Sequence, residues 1–167
     1  MTAKKLNSMR LLEQHNIPYE LVTYDESIHD AQLLAEAVGV PAYMVYKTLV
    51  VDTGEKKPLL ALIAADQSLD LKKLAKVAGY KKLAMARHAD AEAWTGLKTG
   101  GISPLMLLDK KWRLFVDQAV GQLQQFMLSA GQRGMNLRVP TSAFLNLMKP
   151  TLAELTSPPD EDSPQDE

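Results

Sequence analysis

The sequence predicts an α+β domain in which a mixed β-sheet curls around one core and helices pack outside it. Three observations point there. Strand-like runs outnumber helical ones, most of them are joined by hairpin-length connections, and no internal repeat or interdomain linker interrupts the pattern. A doubly wound parallel sheet would read differently. At 167 residues, with 46% apolar and 23% charged residues, the chain can bury one ordinary globular core.

Taken in order, Leu6 to Asn16 carries apolar residues at Leu6, Met9 and Leu12, the spacing of an amphipathic helix. Ile17 to Tyr24 reads as a strand, with Pro18 near its start, where a missing N–H does least harm. Asp30 is placed to cap a helix to Val38, and Gly39 to stop it in the left-handed conformation. Pro41 opens a short helical turn. Val45–Asp52 and Leu59–Ala65 then form a hairpin around Thr53-Gly54, with a loop longer than the tightest type.

The helix at Asp70–Ala78 has the sharpest pattern: Leu71, Leu74, Ala75 and Ala78 share a face, Ser68 or Asp70 caps it, and Gly79 ends it. Lys82–Met85 fits a short strand and His88–Thr95 a helix, followed by a glycine-bearing loop from Gly96 to Pro104. Leu114–Asp117, Gln124–Leu128 and Met135–Val139 read as strands, and Thr141 as the cap of a last helix to Met148. The expected division is one domain over 1–153 and an acidic, disordered tail over 154–167, where Pro150 and Ser-Pro-Pro break periodicity.

The totals exclude several classes. With no cysteine, the chain has no disulfide framework, thiolate metal site or cysteine nucleophile of its own. No apolar run approaches the roughly 18 residues of a membrane span, and Met1–Arg10 lacks the apolar stretch of a secretory signal, so a cytoplasmic address is expected. The net charge of −1 hides an asymmetry: six acids and no base follow Leu152, leaving nineteen basic against fourteen acidic residues before it. That modest excess suits either a phosphate backbone or a mixed solvated surface.

Phosphate-loop, dinucleotide, zinc-protease and nucleophile-elbow motifs are all absent. The histidines His15, His29 and His88 are scattered and read as surface or structural, so neither a metal nor a cofactor is expected. Three weaker patterns remain. In Val45-Tyr46-Lys47-Thr48-Leu49, alternation puts Lys47 on the face of Val45 and Leu49, opposite Tyr46 and Thr48. A lysine there either reaches a ligand in a cleft or guards a sheet edge against aggregation. Gly100-Gly101-Ile102-Ser103-Pro104 either bares backbone N–H groups to an anion or is a plain loop. Ser129-Ala130-Gly131-Gln132-Arg133-Gly134 either presents Ser129 and Arg133 to a ligand or merely connects two strands.

Lys72, Lys73, Lys76, Lys81, Lys82 and Arg87 form a basic stretch that either tracks RNA or is solvated helix charge. Trp94 and Trp112 are candidates for base stacking or for rim packing.

In this order and spacing, Tyr24, V-Y-K-T-L at 45–49, L-D-L-K-K at 69–73, G-G-I-S-P at 100–104 and S-A-G-Q-R-G at 129–134 resemble the YbaK family of editing domains associated with prolyl-tRNA synthetase. The likeness spans about residues 8–150. It implies a barrel-like mixed sheet surrounded by helices, and trans-acting hydrolysis of mischarged aminoacyl-tRNA, typically Cys-tRNA(Pro), with prolyl-tRNA synthetase as a possible partner. It also implies that the family's essential lysine is Lys47, with Gly101 N–H facing the forming oxyanion. Tyr24, Thr48, Gly100, Ile102, Ser103, Pro104, Ser129 and Arg133 would be substrate-binding positions. Asn136 stands where YbaK-like proteins often carry aspartate. A relative clearing Ser-, Thr- or Ala-tRNA, and a non-catalytic module that binds aminoacyl-tRNA or a synthetase, are the competing functions.

Overall fold

Apolar spacing puts Ser8, Met9 and Leu12 on one side of the first helix, and these are the residues that α1 (Asn7–Gln14) buries. The computed structural model describes residues 5–159. After β1 (Glu20–Thr23), α2 (Ala31–Val38) starts where the Asp30 carboxylate accepts the Gln32 N–H and stops at Gly39, φ 75°. A 3-10 turn at Ala42–Met44 leads into β2 (Tyr46–Asp52), which turns back as β3 (Leu59–Ala64). β4 (Ser68–Leu69) precedes α3 (Leu71–Ala78). Asp70, not Ser68, caps that helix, accepting from the N–H groups of Lys72 and Lys73. Then come β5 (Ala84–Met85), α4 (His88–Thr95), β6 (Leu114–Asp117), β7 (Gln125–Gln132), β8 (Met135–Pro140), α5 (Thr141–Met148), β9 (Thr151–Ala153) and β10 (Thr156–Ser157).

The strands form a five-stranded sheet in the order β5-β2-β3-β6-β9, a three-stranded sheet β1-β8-β7, and the pair β10-β4. The hairpins expected at β2–β3 and β7–β8 are present and antiparallel. β6 instead lies parallel to both β3 and β9, joined by crossovers rather than hairpins. The class is therefore α+β with a mixed sheet, but the barrel-like closure is not formed. Among the described residues, the backbones of the two larger sheets pair only at a parallel bridge between Val45 and Met127, too little to seal a cylinder.

Three apolar clusters fill the interior. The largest joins α1 and α5 to the inner faces of both sheets, with Phe126 edge-on to Tyr46 and Phe144. A second packs α3 against Leu49, Val51, Leu59 and Phe115. A third seats Ala31, Leu34 and Ala35 of α2 on Val45 and Met127, covering the seam between the sheets.

Three local expectations are corrected. Thr141 does not cap α5; Pro140 occupies that position, and the Thr141 N–H donates to Gln124 O at 2.9 Å. β7 runs four residues past Leu128 because a bulge between Ser129 and Gln132 absorbs the extra chain. Glu154 to Ser157 belong to the fold rather than to a tail: Leu155 is fully buried in the second cluster, and its N–H donates to Asp117. Thr156-Ser157 pair with Leu69-Ser68. Lys73, from the stretch that reads as either RNA-tracking or solvated helix charge, is tied here, to Glu154 Oε1 and Thr156 O, each at 2.8 Å. Residues 160–167 of the expected tail lie outside the described residues. Leu155→Ala should therefore destabilise the protein by about 2–5 kcal/mol in chemical denaturation, a core penalty that no disordered tail would show.

Candidate active site

The cleft opens where the seam between the sheets is left uncovered by α2. β2 supplies Tyr46, Lys47 and Thr48, β7 supplies Ser129, β8 supplies Asn136, and the chain just beyond β1 supplies Tyr24. Ala31 and Leu34 of α2, with His29 ahead of it, form one wall; Gly100 and Ile102 form another.

Each polar group arrives there for a local reason. Asn136 stands opposite Ser129 on β7 and Val22 on β1, so pairing on both sides holds it at the centre of its sheet, buried. Ser129 Oγ accepts from Gly131 N at 3.0 Å, which fixes the hydroxyl at the start of the bulge. Lys47 lies half-exposed near the start of β2, opposite Ile63, and makes no ion pair among the described residues. Thr48 Oγ1 is buried without a hydrogen-bond partner among them. A buried hydroxyl in that state costs about 1–3 kcal/mol and is restored by any ligand that bonds it. Burial, reinforced by the charges of Asp117 and Asp66, pushes the Tyr46 hydroxyl well above its ordinary range, so it stays neutral.

The glycine loop is built differently from the expectation. Gly101 N donates to Lys98 O at 2.8 Å, so it is spent on a turn and does not face the cleft. A Cβ at Gly101 would stand 2.7 Å from Arg133 N and 2.9 Å from Gln132 C, so glycine is required by the close approach of two backbones. The N–H groups of Gly100 and Ile102, on either side, donate to no acceptor among the described residues. Gly100 has φ 86° and packs against His29. Arg133 Nε donates to Thr99 O at 2.6 Å, and Glu92 accepts the Thr99 N–H at 2.8 Å. That backbone bond holds the Glu92 carboxyl below its ordinary value, so the anchor is made at neutral pH and weakened only in acid.

Of the residues singled out from sequence, Tyr24, Lys47, Thr48, Gly100, Ile102, Ser129 and Asn136 line the cleft. Gly101 and Arg133 support the loop from behind. Ser103 is fully buried and caps a 3-10 turn through Leu105 N, and Pro104 lines a different groove. His29, read from sequence as surface or structural, borders the cleft just before the Asp30 cap and was not singled out as a site residue. Trp94 and Trp112 are partly buried against the largest cluster. Among the described residues no group of three or more potential metal ligands occurs, and no helix is long and apolar enough to cross a membrane.

Lys47 and Thr48, neighbours on β2, thus border one cleft with Gly100 and Ile102, residue types suited to holding a polarised carbonyl and its neighbouring oxygens. Residues 25–147 match the model of the aminoacyl-tRNA editing domain. The proposed Cys-tRNA(Pro)/Cys-tRNA(Cys) deacylase EbsC of Enterococcus faecalis is 37% identical over 93% of this chain and 96% of its own. The multifunctional Ser/Thr-tRNA deacylase ProXp-y of Escherichia coli is 27% identical over 85% of this chain and 86% of its own. The fold matches that of a candidate trans-editing enzyme for prolyl-tRNA synthetase, TM-score 0.74 and 22% identity, over 93% of this chain and 99% of that one. With the family model covering most of its length and a full-length relative above 30% identity, this chain belongs to the aminoacyl-tRNA editing domain family, the YbaK-type family its motifs resemble.

Proposed function

We propose that this protein is a cytoplasmic, trans-acting deacylase that clears Cys-tRNA(Pro), working alongside prolyl-tRNA synthetase. The observation that carries the reading is that Lys47, Thr48, Gly100 and Ile102 open onto one cleft. A synthetase pocket made for proline cannot strongly reject a side chain of similar size, because small apolar differences are worth only about 1–3 kcal/mol. A second site must then destroy the product, and an aminoacyl ester is activated enough that positioning and charge stabilisation suffice.

In this reading the Lys47 ammonium holds the carbonyl side of the ester, and the Gly100 and Ile102 N–H groups face the oxygen on which charge develops. The substrate's own thiol attacks the carbonyl carbon: the S–C bond forms, the C–O bond to the ribose breaks, and the thiol proton ends on the departing ribose hydroxyl. The cyclic thioester released then hydrolyses in water. Thr48 contacts the substrate through its otherwise unpartnered hydroxyl. Thr48→Val, nearly the same shape, should lower kcat/KM by about tenfold while leaving stability unchanged or raised by about 1 kcal/mol.

A second reading is favoured by that same hydroxyl and by the similarity to ProXp-y: clearance of Ser- or Thr-tRNA, whose side-chain hydroxyl would pair with Thr48. Deacylation of Cys-tRNA(Pro), Ala-tRNA(Pro), Ser-tRNA and Thr-tRNA measured side by side separates them. Loss of the cysteinyl ester alone supports thiol-assisted chemistry, and equal loss of the seryl ester removes it. Binding of all four without ester loss would make the protein a carrier.

A further inference from the structure

A second groove, on the far side of the glycine loop, carries a charge pattern that the ester site does not use. It is an open groove between Leu60, Pro104, Leu107, Leu108, Trp112 and Met148, lined also by Lys111, Arg113 and Lys149. Lys110 extends the rim, its Nζ 5.3 Å from the centre of the Trp112 ring. No acidic residue lines the groove; Asp109, the nearest along the chain, faces another cleft beside Asn7 and Arg10. None of the four cations makes an ion pair among the described residues. Arg113 also donates to Ala78 O at 2.9 Å, which joins this rim to the C-terminal end of α3, whose last turn holds Lys76 and which Lys81 and Lys82 follow.

Resting on the reading of the ester site as an aminoacyl-tRNA site, we propose that this groove holds the single-stranded 3′ end of the tRNA acceptor arm, upstream of the aminoacylated nucleotide. The cations meet phosphates, and the apolar floor takes the face of a base. Pro104 lines the groove two residues after Ile102 lines the cleft, so one short loop separates the two. Lys111 and Lys149 are two of only three non-glycine residues with positive φ among those described, at 57° and 48°. Asparagine tolerates that conformation, so Lys111→Asn and Lys149→Asn remove charge without disturbing the turns.

The test compares the double variant Lys111→Asn/Lys149→Asn with wild type on full-length Cys-tRNA(Pro) and on cysteinyl-adenosine, and measures binding of uncharged tRNA by fluorescence anisotropy. The expected result is a loss of roughly tenfold or more in kcat/KM on the full-length substrate, with cysteinyl-adenosine turnover unchanged. The slope of log affinity against log salt should flatten by about 1.4, two single-strand phosphates' worth. Unchanged rates and affinity on full-length tRNA overturn the proposal. So does equal loss on both substrates, which would mark the lysines as structural helix ends, or loss of synthetase co-sedimentation with tRNA binding intact, which would give the groove to a protein. Should neither substrate be hydrolysed by wild type, the reading of the ester site fails, while the anisotropy arm still decides this one.

Discussion

Lys47→Ala should abolish most ester hydrolysis, lowering kcat/KM on the preferred aminoacyl-tRNA by about 10²–10³-fold, the range seen when one preorganised donor to an oxyanion is removed. The unfolding free energy should move by no more than about 0.5 kcal/mol. The side chain is half-exposed, pairs with no carboxylate among the described residues, and stands near the start of a strand whose backbone pairing does not depend on it. Single-turnover rates with enzyme in excess separate the effect on chemistry from binding. A fall in the rate at saturation shows that the ammonium acts in the transition state, and a rise in the half-saturating concentration alone shows that it only anchors the substrate. Near-wild-type turnover would sink the proposed function of this residue.

Gly101→Ala should be nearly as damaging, by a different route. The added methyl would meet Arg133 N at 2.7 Å and Gln132 C at 2.9 Å, and both are backbone atoms that cannot rotate aside. The loop or the β7–β8 turn has to move, at a cost of roughly 1–3 kcal/mol in stability. Gly100 and Ile102 move with it, so activity should fall along with the melting temperature. Gly96→Ala is the control. Its φ of 75° strains an alanine by about 1–2 kcal/mol, yet nothing lies within 4 Å of the new methyl. That variant should lose stability and keep its activity per folded molecule, which can be read from rates normalised to the folded fraction by circular dichroism.

What could be read along the chain was what is decided along the chain. Asp70 and Gly79 bracket α3, and Asp30 and Gly39 bracket α2, because caps and left-handed stops depend on neighbours within a few residues. Alternation placed Lys47 on a strand, and the resemblance brought it together with the glycine loop. The parallel partners of β6 were not legible, since β3 and β9 come from segments far away in sequence, and a short apolar run is silent about its neighbours. Gly101 shows the same limit inside the site. Its glycine was read as freedom to expose an N–H, whereas the constraint is the through-space approach of residues 132 and 133. Leu155 was hidden among acids and prolines, a composition that resembles disorder even though one leucine and one strand pair hold the segment down.

The bridge from Val45 to Met127, the only pairing between the two larger sheets among the described residues, bears on how specificity can be retuned. Lys47 and Thr48 ride on one sheet, Ser129 and Asn136 on the other, so the width of the gap is a spacing between two rigid plates. Residues remote from the ligand, such as Phe126 and Phe144 wedged behind that joint, act as shims. Trading their bulk should resize the opening and shift which side chain is accepted without altering any group that touches it.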